Sequence, residues 1–332
     1  MSARHVAIVG ATGAVGLEFL RVLAEREFPL RSLRLLASPR SAGQRLAFRG
    51  ESLPVEALRD DSFRGVDLAL FSAGGTISKL HGPRAVQAGA IVVDNSSAFR
   101  LDPDVPLVVP EVNPDAIAAH RGILANPNCS TILLVLALWP LHRAAGLAGV
   151  VVSTYQAASG AGQRAMLELR ESTRAALAGE PVPAPTALLQ PLAFNLFPQV
   201  DVFQPDGYTK EEDKLQLETR KILGLPELPV DATCVRVPVE RCHSESVAVR
   251  LERALSVPAA QQLLAAAPGV ELVDEPAAKR YPMPIAYAGR DAVGVGRVRL
   301  GRVFAPGLTF WLVGDQLRKG AALNAVQIAE QL

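Results

Sequence analysis

The sequence predicts an α/β protein in two domains, a parallel sheet wound with helices followed by an α+β domain on a mixed sheet. Three observations carry this. The 332 residues exceed the size at which a single hydrophobic core stops growing. The first third alternates helical stretches with short unbroken runs of Val, Ile and Leu, as strands buried on both faces require. From about Gly149 the runs lengthen and change character, the pattern of a mixed or antiparallel sheet.

The elements follow in order. HVAIVG (5–10) reads as the first strand and GATGAVG (10–16) as the turn into a helix whose apolar face is Val15, Phe19, Val22 and Leu23. That helix stops near Pro29, and LRLLAS (33–38) completes a βαβ unit. VDLALFSAGG (66–75), AIVVDNSS (90–97), PLVVPEVN (106–113) and GILANPNC (122–129) read as further buried strands, with a core helix over Ser130–Leu138. Residues 122–141 carry no charge, but Pro127 and two asparagines interrupt them and the apolar run Ile132–Trp139 is too short to span a bilayer. In the second part VVVSTYQAAS (150–159), TCVRVPV (233–239), SESVAVRL (244–251) and VGRVRL (295–300) are strands. Residues 180–205 hold six prolines and predict an irregular surface excursion, while KGAALNAVQIAEQL (319–332) predicts a closing helix with Ala322, Val326 and Ala329 on one face.

Composition narrows the function. A net charge of +1 and 5% aromatic residues give neither the electrostatic footprint nor the stacking surface of a nucleic-acid binder, so the partner is a small molecule. Cys129, Cys234 and Cys242 have no metal-ligand spacing, so no metal is expected, and their odd number fits a reducing compartment, the cytoplasm. The opening MSARHVAIVG lacks an export signal.

Two features carry chemistry. Gly10, Gly13 and Gly16 stand between a strand and a helix, where backbone amides and the helix dipole hold a pyrophosphate. The second strand ends without the carboxylate that binds NAD ribose, and leads instead into Ser38, Arg40 and Ser41, which suit the extra phosphate of NADP. The other feature is Cys129 in NPNCST (126–131), placed where a helix N-terminus favours the thiolate. His243, in RVPVERCHSES, reads as a turn histidine able to exchange protons with it.

GATGAVG, LASPRSAG, VVDNSSAFR, VPLVVPEVN, NPNCST, STYQAASGAG, CVRVPV with HSES, and KGAALNAVQIAE together resemble aspartate-semialdehyde dehydrogenase of the short bacterial type over essentially the whole chain. The resemblance implies a Rossmann-type NADP-binding domain (1–128 and 315–332) and a catalytic and dimerisation domain (129–314). It implies reversible NADPH-dependent conversion of aspartyl β-phosphate to aspartate semialdehyde and phosphate, on the way to lysine, diaminopimelate, threonine and methionine, by a homodimer or tetramer. Carried over, Cys129 is the thioester nucleophile, His243 the acid/base, and Gln156 the group orienting the acyl intermediate. Asn128 holds substrate beside the thiol. Arg236 clamps the substrate α-carboxylate, Glu211 meets its ammonium group, and Arg100 and Lys214 bind phosphate. Thr12, Gly13, Ala14 and Val15 lie at the pyrophosphate, Arg40 and Ser41 at the 2′-phosphate, and Ser159 and Gly160 near the nicotinamide, with Gln316 of the VGDQ turn also at the cofactor.

Read without the resemblance, Glu211 and Lys214 are a surface ion pair on a helix, worth about 0.2–0.5 kcal/mol. Arg236 differs, since it interrupts an apolar strand and needs an anionic partner. Two rival functions stand beside the main one: an acyl-phosphate reductase of the N-acetylglutamyl-phosphate type, and a catalytically silent NADP-binding paralogue. Cys242, where relatives usually carry glycine or alanine, adds a second thiol and an expectation of oxidation sensitivity.

Overall fold

In the computed structural model, which describes residues 2–332, the chain divides into two compact units, one running to Asn128 and resuming at Ala321, the other Cys129–Gly320. The first is built on a seven-stranded sheet. Its elements are β1 (Arg4–Val9), α1 (Ala14–Glu25), β2 (Leu30–Ala37), β3 (Arg45–Phe48), β4 (Glu51–Ala57), β5 (Leu68–Phe71), α2 (Gly75–Gln87), β6 (Ile91–Asp94) and β7 (Ile123–Ala125). The strand order is β3-β4-β2-β1-β5-β6-β7, parallel throughout except for β3 against β4. Alternate residues of the strands enter different cores. Ile8, Leu35, Leu68 and Leu70 pack with Phe19, Val22 and Leu23 of α1, while Ala7, Val9, Leu36, Ala69 and Phe71 pack with Phe63 and Ala85. Burial on both faces is why these strands read as unbroken apolar runs.

One expectation needs correction here, and one feature was not foreseen. PLVVPEVN is buried but forms no strand; only Leu107 bridges to Ala125, because prolines 106 and 110 bracket the run and cannot donate to a ladder. The antiparallel β3–β4 hairpin was not legible, because its residues are largely exposed and carry no continuous apolar run.

The second unit comprises α3 (Cys129–Ala145), β8 (Leu147–Gln156), α4 (Gln163–Leu177), α5 (Lys210–Leu223), β9 (Val230–Arg236), β10 (His243–Leu251), α6 (Val257–Ala265), β11 (Val270–Leu272), α7 (Pro284–Tyr287), β12 (Val293–Leu300) and β13 (Gly307–Gly314). Its six strands run β11-β12-β13-β10-β8-β9, with β8 parallel to β9 and β10 antiparallel to both β8 and β13. The sheet is therefore mixed. One face is covered by α3 and α5, and the apolar α3 is buried along most of its length and runs on through Pro140, past the expected end at Leu138.

The proline-rich stretch between α4 and α5 forms no helix or strand, as expected. Glu168 of α4 anchors it, accepting hydrogen bonds from the N–H groups of Thr186 (2.7 Å), Ala187 (2.8 Å) and Leu188 (3.2 Å). Burial alone raises that carboxyl's pKa, but these donors outweigh it and hold the pKa below the usual range.

After a π-helical turn over Arg318–Ala322, α8 (Leu323–Glu330) returns to the first unit. Its Val326, Ile328 and Ala329 join the α1-side core, and Arg26 pairs with Glu330 at 2.6 Å. No helix among the described residues is long and apolar enough to cross a membrane.

Candidate active site

In the first unit the glycine turn is dictated by close packing. Gly10 has φ +87°, and a Cβ there would lie 2.3 Å from the carbonyl oxygen of Ser72; a Cβ on Gly16 would lie 2.2 Å from that of Gly10. No side chain caps α1 at Gly13, so the first-turn amides of Ala14 and Val15 remain available to an anion. Beyond β2, Pro39–Ser41 forms one tight turn that leaves Ser38 and Arg40 exposed and brings the Ser41 hydroxyl within 3.4 Å of that of Thr12. No acidic side chain stands in that turn. These residues fit a dinucleotide.

Arg100 is also in this unit and is buried. Its Nε donates to the carbonyl of Asn126 (2.9 Å) and Nη2 to that of Asn95 (2.7 Å). Asn126, missed by sequence reasoning, is a hub: its Nδ2 donates to Asn95 Oδ1 (2.8 Å) and its Oδ1 accepts from Asn324 Nδ2 (2.7 Å). The two polar residues of NPN were the available signal. Asn128 is buried directly before Cys129 in the chain.

The second unit gathers the remaining candidates. Cys129 is the first residue of α3 and is partly exposed, as a nucleophile at a helix N-terminus should be. The π-helical turn over Arg318–Ala322 packs closely on it, since a Cβ on Gly320 would come within 3.0 Å of the Cys129 Cβ. Across the covered face of the sheet, Gln156 at the end of β8 pairs in register with Arg236 at the end of β9, and His243 opens β10 beside them. Gln156 Nε2 donates to Ser130 Oγ (3.1 Å) and to Glu211 Oε1 (3.2 Å), tying the start of α3 to α5.

Arg236 is buried and donates from Nη1 to the carbonyl of Ala157 at 2.6 Å. Burial lowers its pKa, against the charges of Glu211 and then Cys129, so the guanidinium is electrostatically coupled to the thiol. His243 is not a turn histidine on the surface, as its sequence context suggested; it is 0% exposed, inside the sheet. Burial first and the Arg236 charge second push its pKa down to about 3, with Glu211 opposing. Its Nδ1 accepts from the N–H of Ala157 at 3.0 Å, and its Nε2 looks towards Gly160, where a Cβ would stand 3.0 Å from both Nε2 and the Arg236 Nη1.

Glu211 and Lys214 do pair (2.9 Å), but Glu211 is buried, so the surface reading fails. Lys214 also bonds Asp201 at 2.8 Å; burial alone would lower its pKa, yet the two carboxylates hold it raised. The register of α5 comes from a capping box in which Thr209 and Glu212 cap each other, while Glu212 also accepts from the N–H of Cys234 on β9 (2.8 Å). Gln316, 2% exposed, accepts from the N–H of Cys242 (2.8 Å) and donates to Ser159 Oγ.

One residue pair behind the Gln156–Arg236 row lies a second polar row: Glu245 on β10 faces Thr154 on β8, which faces Cys234 on β9. Glu245 is 0% exposed, neither carboxyl oxygen has a hydrogen-bond partner, and burial raises its pKa well above the ordinary value. HSES contained it, two residues from His243 and so on the same strand face.

The second thiol does not behave as expected. Cys242 is fully buried against Tyr287 and Val313, and burial together with the Asp315 charge pushes its thiol up to about 12. That setting weighs against oxidation of this thiol. Its φ of +78° explains why glycine suits the position. Alkylation of the native protein at low reagent excess is expected to label Cys129 first, with Cys234 and Cys242 reacting only on unfolding, as peptide mapping would reveal.

The chain is similar along nearly its whole length to known proteins. Residues 5–120 match the family described as semialdehyde dehydrogenase, NAD binding domain, and residues 138–319 that described as semialdehyde dehydrogenase, dimerisation domain. The chain is 54% identical over 331 residues to an aspartate-semialdehyde dehydrogenase of Aquifex aeolicus, covering 99% of this chain and 97% of that one. It is 51% identical to that of Bacillus subtilis, with 99% and 97% covered. A crystal structure of aspartate semialdehyde dehydrogenase II from Vibrio cholerae complexed with ASA superimposes with a TM-score of 0.96 at 46% identity, covering 99% and 98%. A Candida albicans aspartate semialdehyde dehydrogenase with NADP superimposes at 0.77 with 25% identity, covering 99% and 98%.

Proposed function

The chain belongs to the aspartate-semialdehyde dehydrogenase family, and we propose that it reduces L-aspartyl 4-phosphate to L-aspartate 4-semialdehyde and phosphate, reversibly, with NADPH, through a thioester on Cys129. The observation that carries the site is the meeting of Cys129, Gln156, Glu211, Arg236 and His243 around one sheet edge and one helix start. Arg236 takes the substrate α-carboxylate, for which its fork geometry is suited. Glu211 takes the ammonium group, and its burial favours a free amine over the N-acetyl compound of the rival reductase. Gln156 holds the acyl group. Lys214 receives phosphate, and Arg100 and Asn128 keep the substrate roles that the resemblance assigns them.

NADPH supplies the hydride when bound. The glycine turn with Thr12, Gly13, Ala14 and Val15 would hold its pyrophosphate, Ser38, Arg40 and Ser41 its 2′-phosphate, and Ser159, Gly160 and Gln316 would lie towards the nicotinamide. Arg40 in place of a carboxylate favours NADP over NAD.

The open face of the six-stranded sheet supports a homodimer. Ser153, Ser246 and Trp311 align in register there, as do Val151, Ala248 and Thr309, and all remain incompletely buried. We place the enzyme in the cytoplasm on its odd number of cysteines, which fits a reducing compartment. The deciding assay follows NADPH absorbance with purified protein, aspartate semialdehyde, NADP and phosphate. Phosphate-dependent turnover is expected; none, or preference for the N-acetylglutamate semialdehyde, would overturn the reading.

A further inference from the structure

We propose that Asn95, Asn126 and Asn324 form a positioning chain for Arg100, through which α8 sets the orientation of the guanidinium towards the substrate phosphate. The inference rests on the reading of Arg100 as a phosphate ligand and adds to it the residues that aim the side chain.

The clamp is built at the carboxyl ends of two neighbouring parallel strands. Asn95 follows β6 and Asn126 follows β7. Their backbone carbonyls take Arg100 Nη2 at 2.7 Å and Nε at 2.9 Å, and their side chains bond each other, Asn126 Nδ2 to Asn95 Oδ1 at 2.8 Å. Three hydrogen bonds therefore close a ring of Arg100, Asn95 and Asn126. Two bonds to a planar guanidinium fix both its plane and its angle within the plane, which bidentate recognition of an anion needs. Both acceptors are neutral carbonyls, so these bonds orient the cation without cancelling its charge, as a carboxylate would.

The amide directions are set from both ends of the chain. Asn324 Nδ2 donates to the carbonyl of Val108 (2.9 Å) and to Asn126 Oδ1 (2.7 Å). At the other end Asn95 Nδ2 donates to the carbonyl of Phe71 (2.9 Å). A backbone carbonyl only accepts, so each terminal amide must turn its nitrogen to that carbonyl. Asn126 must then point its oxygen at Asn324 and its nitrogen at Asn95. Turning over any one amide sets oxygen against oxygen, and Asn126 and Asn324 are buried, where an unmet polar group is costly.

The ends of β6 and β7 need no such third member. Asn324 comes from α8, 198 residues along the chain from Asn126. Its loss frees the Asn126 side chain to turn, and with it the peptide whose carbonyl holds Arg100 Nε. Misplacing a group that positions a reactant by about 1 Å can cost on the order of a hundredfold in rate.

The test measures initial rates of the full-length enzyme in the phosphate-dependent direction with Arg100→Ala, Asn324→Ser and the double variant. Asn324→Ser is expected to raise the KM for phosphate about tenfold while the KM for aspartate semialdehyde stays within about twofold. Once the guanidinium is gone Asn324 has nothing left to aim, so the double variant should match Arg100→Ala rather than multiply the two losses. An unchanged phosphate KM, a parallel rise in both KM values, or multiplied losses overturns the proposal. Asn95→Ser, at the half-buried end of the chain, carries the same expectation should Asn324→Ser not fold. A second readout needs no turnover. In enzyme labelled with ¹⁵N-arginine, the Arg100 Nε–H signal, identified by its loss in Arg100→Lys, should exchange slowly with solvent, shift on adding inorganic phosphate, and exchange faster in Asn324→Ser. A signal that ignores phosphate defeats the reading of Arg100 as phosphate ligand, and the proposal with it; a signal that shifts but exchanges equally in both proteins defeats the positioning chain alone.

Discussion

Cys129→Ser is expected to lower turnover in the phosphate-dependent assay by on the order of 10⁴-fold or more, while thermal stability and substrate protection change little. The substitution exchanges one atom at the first residue of α3, so packing against Gly320 is preserved. What is lost is ionisation. A thiol near neutrality is within reach of the helix dipole and of the Arg236 charge, which is coupled to Cys129; an alcohol is far too weak an acid for either to ionise it. The serine ester would also be a poorer acyl donor, and its alkoxide a poorer leaving group. Mass spectrometry of wild type with aspartyl phosphate, without NADPH, should trap an acyl adduct on Cys129 that the variant does not form. Activity within tenfold of wild type would end the thioester reading.

Glu245→Gln should raise stability by an amount that grows with pH. The folded carboxyl has its pKa raised well above 4.5 by burial and has no partner on either oxygen, whereas the unfolded chain ionises normally. Below the unfolded value both states bind the proton and the group contributes nothing. Above it the unfolded state releases the proton and the folded state does not, so stability falls as pH rises, by up to about 1.4 kcal/mol per pH unit until the folded carboxyl itself ionises. Glutamine keeps the shape and removes the titration. Urea midpoints at pH 5, 6, 7 and 8 should therefore diverge steadily between the two proteins. Parallel curves would mean that Glu245 is ionised and paired in the native state. A costly neutral acid directly behind the Gln156–Arg236 row is the kind of local inconsistency that accumulates around functional sites.

Much of the fold was readable because burial writes itself into composition. The runs around Ile8, Leu35, Leu70 and Val93 are continuous since both sheet faces are covered, and α1 kept its Phe19, Val22 and Leu23 stripe because only one face is. The same logic failed at PLVVPEVN. There the apolar side chains are buried without ladder pairing, and proline decides between the two.

Candidate residues could be named from the sequence where the proposed chemistry demands a particular side chain, at Cys129, Arg236 and Arg40. The site was not legible at Ala157, which holds both His243 and Arg236 through its backbone, where a sequence leaves no mark. Glu211 was misplaced on the surface because helical spacing reports an i,i+3 neighbour equally well in water or in a core.

By itself, the sequence determined the alternation of strands and helices, the glycine turn of a dinucleotide-binding domain and the family, because these follow from local periodicity, from φ and from residue type. Tertiary structure alone decided that His243 and Cys242 are buried, with their pKa values pushed down and up respectively, and that Glu245 sits without a hydrogen-bond partner behind the Gln156–Arg236 row. Those are properties of solvation and of the field of neighbouring charges, which exist only once strands far apart in the chain have been laid side by side.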